Sequence, residues 1–202
     1  GKDIDYSLGA QVSDATAVVT KYTSIDKSSP HTQWYEGRSP GEIWGFRSDG
    51  LIQTQAEADA YNKTHDLSYL SGQPWTPGDV KYRDLNGDGK INGADRSYTK
   101  PIEPSYTFAM NFNVGWRGFD LSAMFNGAAG AARYYSSEVF GEFAGDTGHP
   151  STVWRDAWSS TNTSGTMPRI FRKGTARHND ANSTFWLQKT DYLRLKNLQL
   201  GY

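Results

Sequence analysis

Residues 106–122 read YTFAMNFNVGWRGFDLS, and apolar and polar side chains alternate along them without exception as far as Trp116. A period of two is typical of a β-strand that has two different faces. Arg117-Gly118 then provides a two-residue turn, and the alternation resumes from Phe119. The pattern predicts an antiparallel hairpin, with strands near 105–117 and 119–127, that has one apolar and one polar face.

The same alternation predicts two more strands, near residues 4–13 and 186–202. The first alternates strictly, whereas the second changes phase in the middle. Two pairs of leucines lie in opposite phases on either side of Lys196-Asn197, namely Leu193 with Leu195 and Leu198 with Leu200. A β-bulge at Lys196-Asn197 would return all four leucines to one face.

Two long connections, near 20–104 and 128–185, separate these strands. Compact soluble domains favour connections of about four to six residues, whereas outer-membrane barrels combine short turns with long extracellular loops. The predicted fold class is therefore all-β, with antiparallel strands from a transmembrane β-barrel with long extracellular loops. A Thr54–Glu57 capping box predicts a short helix at about 55–64, and a second short helix is expected around 153–158.

Composition excludes several classes of protein. Twenty-one Lys and Arg against 22 Asp and Glu give a net charge of -1, so no cationic surface for nucleic acid is expected. The sequence contains no Cys, which excludes disulfides and cysteine-ligated metals. It also has no run of 18 apolar residues that would predict a spanning helix.

One local motif predicts a metal site. Residues 84–95, DLNGDGKINGAD, have the spacing of a twelve-residue calcium loop, with Gly89 at the sharp turn. The predicted ligands are side-chain oxygens and one carbonyl, from Asp84, Asn86, Asp88, Lys90 (carbonyl), Asn92 and Asp95. Position 12 is Asp instead of Glu, and the flanking segments contain Pro and Gly instead of helices. A metal-free loop rich in Asx turns is the alternative.

No enzymatic chemistry is predicted. Acidic residues accompany His149 in the second connection, at Glu138, Glu142, Asp146 and Asp156, but no recognisable catalytic spacing joins them. The four histidines are widely separated and are expected at the surface. A short basic run, Arg169, Arg172, Lys173 and Arg177, is interpreted as a solvated loop.

Several segments in order resemble the late barrel region of SusC/RagA-type TonB-dependent outer-membrane transporters. They are GEIWGF (41–46), SDGLIQ (48–53), PGDVKY (77–82), the loop at 84–95, GFDLS (118–122), FWL (185–187), YLRLKN (192–197) and LGY (200–202). The resemblance implies an incomplete barrel, that is, a piece of a longer outer-membrane protein that lacks the plug and the TonB-contacting segment. The polar strand faces would line the lumen.

The resemblance further implies energy-coupled import of a nutrient, either a glycan or a peptide fragment, with TonB and a SusD-like surface lipoprotein as partners. Exposed aromatic side chains in the loops would be candidate sugar-stacking residues, and the candidates are Trp34, Trp44, Trp75, Trp154 and Trp158. The alternative hypothesis is a secreted, calcium-stabilised, carbohydrate-binding β-sandwich, in which one strand face would be sealed in a soluble core.

Overall fold

The computed structural model describes residues 4–23, 31–70, 72–134, 151–170 and 177–202. The strands in these ranges are β1 (Ile4–Asp14), β2 (Glu42–Phe46), β3 (Ser48–Leu51), β4 (Val80–Tyr82), β5 (Arg96–Pro101), β6 (Tyr106–Trp116), β7 (Phe119–Ala129), β8 (Ala132–Tyr134), β9 (Leu187–Lys189) and β10 (Tyr192–Gly201). The α-helix is α1 (Gln55–Thr64), and short 3-10 helices span Gly93–Asp95, Thr152–Asp156 and Arg177–Asp180.

The longest strands form one antiparallel sheet in the order β1-β6-β7-β10. Its register aligns the apolar rows of neighbouring strands, since Leu8 faces Phe112 and Phe112 faces Ala123. The register shift between β10 and β7 lies between Leu195 and Asn197, at the dipeptide where the sequence predicts a bulge. Because of this shift, the leucines on both sides of the bulge lie in the apolar row.

The apolar face of this sheet is solvent-exposed. Leu8 is 71% exposed, Val12 73% and Leu200 77%, and every residue of β1 and β10 is classed as exposed. A sandwich would have buried these side chains in a core, so the secreted β-sandwich alternative is not supported. The predicted fold class, antiparallel strands with long loops and a short helix, is confirmed.

The β6–β7 turn is as short as predicted. Arg117 and Gly118 have φ values of 48° and 89°, the left-handed backbone that a two-residue primed turn requires at both central positions. The Arg117 guanidinium lies 5.7 Å from the centroid of the Trp116 ring. A tight turn with positive φ matches the right-handed twist of the flanking strands, and this allows the full β6–β7 register.

The described parts of the long connections fold together into a second unit, which we call the loop body (residues 31–70, 72–102, 151–170 and 177–186). Its core is made of buried residues from the first connection, namely Phe46, Ile52, Ala58, Tyr61, Leu67, Trp75, Val80, Tyr82 and Ile91. The second connection joins this core through main-chain bonds, because the Phe46 amide donates to the Asn182 carbonyl and the Thr184 amide to the Phe46 carbonyl, both at 2.9 Å.

The helix α1 occupies the predicted range. The Thr54 hydroxyl accepts a bond from the Glu57 amide at 3.1 Å, and the Glu57 carboxylate accepts one from the Gln53 amide at 2.9 Å. Ala58 and Tyr61 face the core of the loop body. In the described part of the chain, no helix combines the length and the hydropathy needed to cross a bilayer.

Candidate functional site

The five tryptophans predicted as ligand contacts differ in exposure. Trp75 is completely buried, its ring stacks on His178 at 4.1 Å, and its indole N–H donates to the Val80 carbonyl at 2.7 Å. Trp154 is 5% exposed and packs near Trp186. A side chain without exposed surface offers no face to a ligand, so Trp75 and Trp154 are withdrawn as candidates and assigned to the interior.

Trp158 is half-buried and joins the two connections. Its indole N–H donates to Gln53 Oε1 at 3.0 Å. Its ring lies so close to Gly78 that a Cβ built at that glycine would be 2.5 Å from it. Gly78 also has a φ of 89°, which favours glycine. Trp158 therefore has a clear packing role, whereas Trp34 is 44% exposed and Trp44 is half-buried.

Trp34 and Trp44 belong to one group of contacts, which we call the Glu42 cluster. Its members are Trp34, Tyr35, Arg38, Glu42, Trp44 and Tyr98. Of these members, only Trp34 and Trp44 were predicted from the sequence, because the group forms around the pairing of β2 with β5, in which Trp44 faces Tyr98. Tyr98, which lies opposite Trp44, would have indicated the cluster if the pairing of β2 with β5 could be predicted, but that pairing is not evident from the sequence.

Glu42 is the polar centre of this cluster. One carboxylate oxygen, Oε2, accepts hydrogen bonds from the Tyr35 hydroxyl at 3.0 Å and the Trp44 indole at 2.9 Å. The other, Oε1, accepts one from the Ser39 amide at 2.8 Å. The Arg38 Nε lies 3.9 Å from Oε2. The polar edges of two aromatic rings are thereby tied to one carboxylate.

The remaining contacts in the cluster involve ring faces. The Arg38 guanidinium lies 5.1 Å from the Trp34 ring centroid and 5.9 Å from that of Tyr35. The Trp44 and Tyr98 centroids are 6.4 Å apart at an interplanar angle of 57°. Burial, together with a hydrogen bond to Glu42, raises the pKa of Tyr35, and burial with the nearby Glu42 charge raises the pKa of Tyr98. Both phenols therefore remain neutral donors at neutral pH.

The predicted calcium loop is closed by hydrogen bonds to its own backbone. The Asp84 carboxylate accepts bonds from the Gly87 and Gly89 amides at 2.7 and 2.8 Å. Asp95 is completely buried and accepts bonds from the Leu85 and Asn92 amides, both at 2.9 Å. These Asx-type bonds give the segment a defined turn.

The remaining predicted ligands lie farther out on this loop. Asn86 and Asp88 are exposed and accept bonds from the Asp88 and Lys90 amides at 2.9 and 2.8 Å, while Asn92 accepts one from the Ala94 amide at 2.8 Å. A carboxylate or amide oxygen keeps a second lone pair after accepting one bond, so the donor chemistry fits calcium. In the ranges that the structure describes, however, no three His, Asp or Glu side chains gather as a metal-holding group.

The other polar candidates have structural surroundings or lie outside the described residues. Glu138, Glu142, Asp146, His149, Arg172 and Lys173 are outside them. Asp156 accepts bonds from the Thr166 amide and hydroxyl, at 3.0 and 2.6 Å, and closes a local loop. Arg169 pairs with Asp79 and is partly exposed, whereas His178 is completely buried, so the expectation of a surface position is wrong for His178.

Comparison with known proteins gives two curated relatives and several solved structures. No family model matches the chain. It is 27% identical over 167 residues to the TonB-dependent receptor P3 of Formosa agariphila and 24% identical over 182 residues to the TonB-dependent receptor P26 of the same organism. These matches cover 83% and 86% of this chain but only 15% and 17% of the relatives, so the chain spans about a sixth of their length.

The structural comparison agrees. The RagAB peptide transporter superposes with a TM-score of 0.60 over 99% of this chain and 21% of its own, at 17% identity. The RagAB peptide importer in its open-open state gives 0.59 over 99% of this chain and 20% of its own, also at 17% identity. At this identity the likeness shows the fold.

Together the two comparisons confirm the resemblance to TonB-dependent outer-membrane transporters of the RagA type, and with it the predicted location in the outer membrane. The relatives are receptors and transporters, in agreement with the prediction that the chain is not an enzyme.

Proposed function

We propose that this chain is a segment of a TonB-dependent importer that takes up nutrient oligosaccharides together with a SusD-like surface lipoprotein. One observation carries the proposal. The four long strands share a continuous apolar row that is exposed, and the bulge at Lys196-Asn197 keeps that row on one side. An exposed, continuous apolar face of this width suits lipid, since transmembrane strands alternate apolar-out and polar-in.

The opposite face of the same sheet has the properties of a pore lining. Across three strands, the Asn113 side-chain Nδ2 donates to the Ser7 hydroxyl at 3.0 Å, and the Ser122 hydroxyl donates to Asn113 Oδ1 at 2.7 Å. These neutral polar groups satisfy one another and remain exposed to solvent. A polar, hydrated face opposite a lipid-facing one supports passage of a polar solute.

The substrate class is proposed from the loop body. The Glu42 cluster presents Trp34 at 44% and Tyr98 at 43% exposure, and exposed aromatic rings are suited to contact sugars. RagAB is described as a peptide transporter, so a peptide is the competing substrate class. The SusD-like lipoprotein and TonB are proposed partners by the same resemblance.

A calcium ion is the proposed ligand of the loop at residues 84–95. The oxygen donors stand at calcium-loop spacing, and Gly87 and Gly89 have φ values of 74° and 75°, which permit the tight turn. Ile91 is completely buried in the core of the loop body and would connect the ion site to that core. Calcium bound there would add charge-assisted contacts to a turn that backbone bonds already shape.

Uptake measured in cells tests the proposal. The parent receptor is expressed with its lipoprotein in a bacterial host, and uptake of labelled oligosaccharides and labelled peptides is followed with TonB present and with TonB deleted. TonB-dependent uptake of oligosaccharides is expected. Uptake of peptides alone would support the importer function but would show that the substrate is a peptide and not an oligosaccharide. A parent protein that fractionates with secreted proteins and transports neither would overturn the proposal.

A further inference from the structure

The β6–β7 turn carries an arginine at a position where the backbone favours other residues. Of the described residues other than glycine, only Arg117 has a positive φ, 48°. A two-residue primed turn prefers Asn, Asp or Gly at this position, because a larger side chain is strained in left-handed backbone. Arg117 therefore weakens the turn that it forms. Backbone strain of this kind is concentrated at functional sites, which points to a role for the arginine side chain.

The guanidinium of Arg117 lies at the rim of the apolar face. It is placed over the Trp116 ring, 5.7 Å from the ring centroid. Trp116 belongs to the apolar row, where it faces Ile4 on one neighbouring strand and Phe119 on the other. Phe119 in turn contacts Tyr202, and their ring centroids are 4.6 Å apart. These four apolar and aromatic side chains are all exposed, so the turn end of the sheet is an apolar rim with a cation beside it.

The length of β6 places this rim at the boundary of a bilayer. The strand runs from Tyr106 to Trp116, so at about 3.3 Å per residue its two ends are about 33 Å apart. A strand tilt of about 35–45° reduces that length to a height of about 25 Å, which is the height of the apolar band of a transmembrane barrel. The short turns of such barrels face the periplasm. Arg117 is thereby expected at the level of the lipid headgroups on the periplasmic side.

The chemistry of Arg117 at this depth fits a phosphate group. A guanidinium presents five N–H donors in a planar fork that matches two phosphate oxygens, and it stays charged at every physiological pH. An aromatic ring next to it attracts the cation and keeps it near the rim. The Trp116 ring suits the same level, because tryptophan and tyrosine are enriched where a membrane meets water. Asn in the turn would satisfy the backbone but would bring no charge to the headgroups.

We infer that Arg117 binds the phosphate of a phospholipid headgroup in the periplasmic leaflet, with its guanidinium held over Trp116 and the acyl chains of the lipid along the apolar row. The inference rests on the proposed function, since it requires the apolar face to meet lipid, and it adds a specific lipid site to that face. The arginine weakens the turn but fixes a positive charge at the level of the headgroups.

The test uses the purified parent receptor in detergent and measures lipid binding by native mass spectrometry. The probes are phosphatidylglycerol and a diacylglycerol with the same acyl chains. The unmodified receptor should bind both lipids, and phosphatidylglycerol more tightly. Arg117→Asn should weaken the binding of phosphatidylglycerol by about fivefold, which is about 1 kcal/mol and close to what one arginine contributes near a lipid surface. The binding of diacylglycerol should not change, because it has no phosphate.

The same variant separates a lipid contact from a role in folding. Asn before Gly118 is the favoured sequence for a primed turn, so the folded fraction after refolding into vesicles should equal or exceed that of the unmodified receptor. Arg117→Gly also suits the turn and should lose phosphatidylglycerol binding by the same factor. Arg155→Asn is the matched control, since Arg155 is an exposed arginine in the loop body, and it should bind lipid as the unmodified receptor does.

Three results would overturn the inference and leave the importer standing. The first is unchanged phosphatidylglycerol binding in both Arg117→Asn and Arg117→Gly. The second is displacement of the lipid by inorganic phosphate at the same concentration, which would make this a site for free phosphate. The third is an equal loss in Arg155→Asn, which would indicate a general effect of charge. An unmodified receptor that binds neither lipid is a separate result, because its apolar face would then not meet lipid and the proposed function itself would be overturned.

Discussion

Asp79 and Arg169 are ninety residues apart and form an ion pair, in which Oδ1 of the buried Asp79 lies 2.6 Å from Nε of the partly exposed Arg169. Asp79 Oδ2 lies 3.0 Å from His178 Nε2, and the Asn179 side-chain Nδ2 donates to Oδ1 at 2.8 Å. A single carboxylate with no exposed surface thus joins the first long connection to the second. This contact adds to the main-chain bonds between the two connections, such as that from the Phe46 amide to the Asn182 carbonyl.

Removing this carboxylate should destabilise the loop body. Asp79→Ala removes the carboxylate that contacts Arg169 and His178, and because the Arg169 side chain is partly exposed, the cost is expected to lie below the value of about 3–5 kcal/mol for breaking a fully buried pair. Hydrogen exchange of the amides at 75–82 and 178–184 should become much faster. The control is Asp49→Ala, which removes an exposed pair with Arg83 and should cost under about 1 kcal/mol. Equal effects of the two substitutions would contradict this role of Asp79.

The same network predicts a loss of stability in acid. Burial alone would raise the pKa of Asp79, but the hydrogen bond and charge of His178, with Arg169, outweigh it and lower the pKa from 3.8 to about 2. The folded form therefore holds the proton less readily than the unfolded form. The stabilisation is complete above pH 3.8 and is lost as the pH falls towards 2. The hydrogen-exchange rates of the loop body should therefore rise as the pH falls through this range. In Asp79→Asn, which has no carboxylate at this position, the part of the pH dependence that comes from Asp79 should disappear.

The glycine at position 127 should be required by the sheet. A Cβ there would lie 2.3 Å from the Phe108 ring and 2.4 Å from the Tyr192 carbonyl oxygen. Gly127→Ala is therefore expected to cost about 1–3 kcal/mol or more through overpacking. Gly9→Ala is the control, because its Cβ would meet its nearest atom, Asn111 Cβ, at 4.0 Å. The folded fraction after refolding into lipid vesicles is measured for both variants. Equal folded fractions for Gly127→Ala and Gly9→Ala would contradict the prediction.

Leu198 and Gln199 test which face of the sheet meets lipid. Leu198 lies in the apolar row opposite Ala123, and Gln199 lies on the polar face opposite Ser122. Leu198→Lys should reduce the stability in a bilayer by about 2–4 kcal/mol if the residue is near the midplane, whereas Gln199→Lys should be tolerated. Denaturant titration in vesicles compares the two. A larger effect of Gln199→Lys would mean that the polar face is the one in contact with lipid.

Calcium binding is tested by calorimetry on the parent receptor. Heat of binding is expected for the unmodified protein and should be lost in Asp84→Ala and Asp88→Ala, since each removes a carboxylate ligand. Asp59→Ala, an exposed substitution on α1 outside the loop, should bind as the unmodified protein does. If the unmodified protein gives no heat, the loop is a metal-free turn held by bonds such as Gly89 N–H to Asp84.

Local features of the fold could be predicted from the sequence. The alternation at 106–116 depends only on side-chain polarity and strand geometry, and the phase change at Lys196-Asn197 identifies the place of the register shift. Likewise the Thr54–Glu57 spacing predicts the start of α1. In each case the physical cause lies within a few residues of its effect.

The solvent exposure of a side chain and its tertiary contacts could not be predicted in this way. Trp75 and Trp34 are the same residue type in similar loop-like sequence, yet one is completely buried and the other is 44% exposed. The outcome depends on which distant residues pack against each ring, such as His178 on Trp75.

The sequence by itself determined the two-faced strands, the turn at Arg117-Gly118 and the loop at 84–95, because their periodicity and turn chemistry act over short distances. Only the tertiary structure decided that Asp79 joins the two connections and that Glu42 gathers Trp44, Tyr35 and their neighbours. Such contacts join residues that are far apart in the chain, and the free energy that selects them comes from burial and charge pairing in the folded loop body.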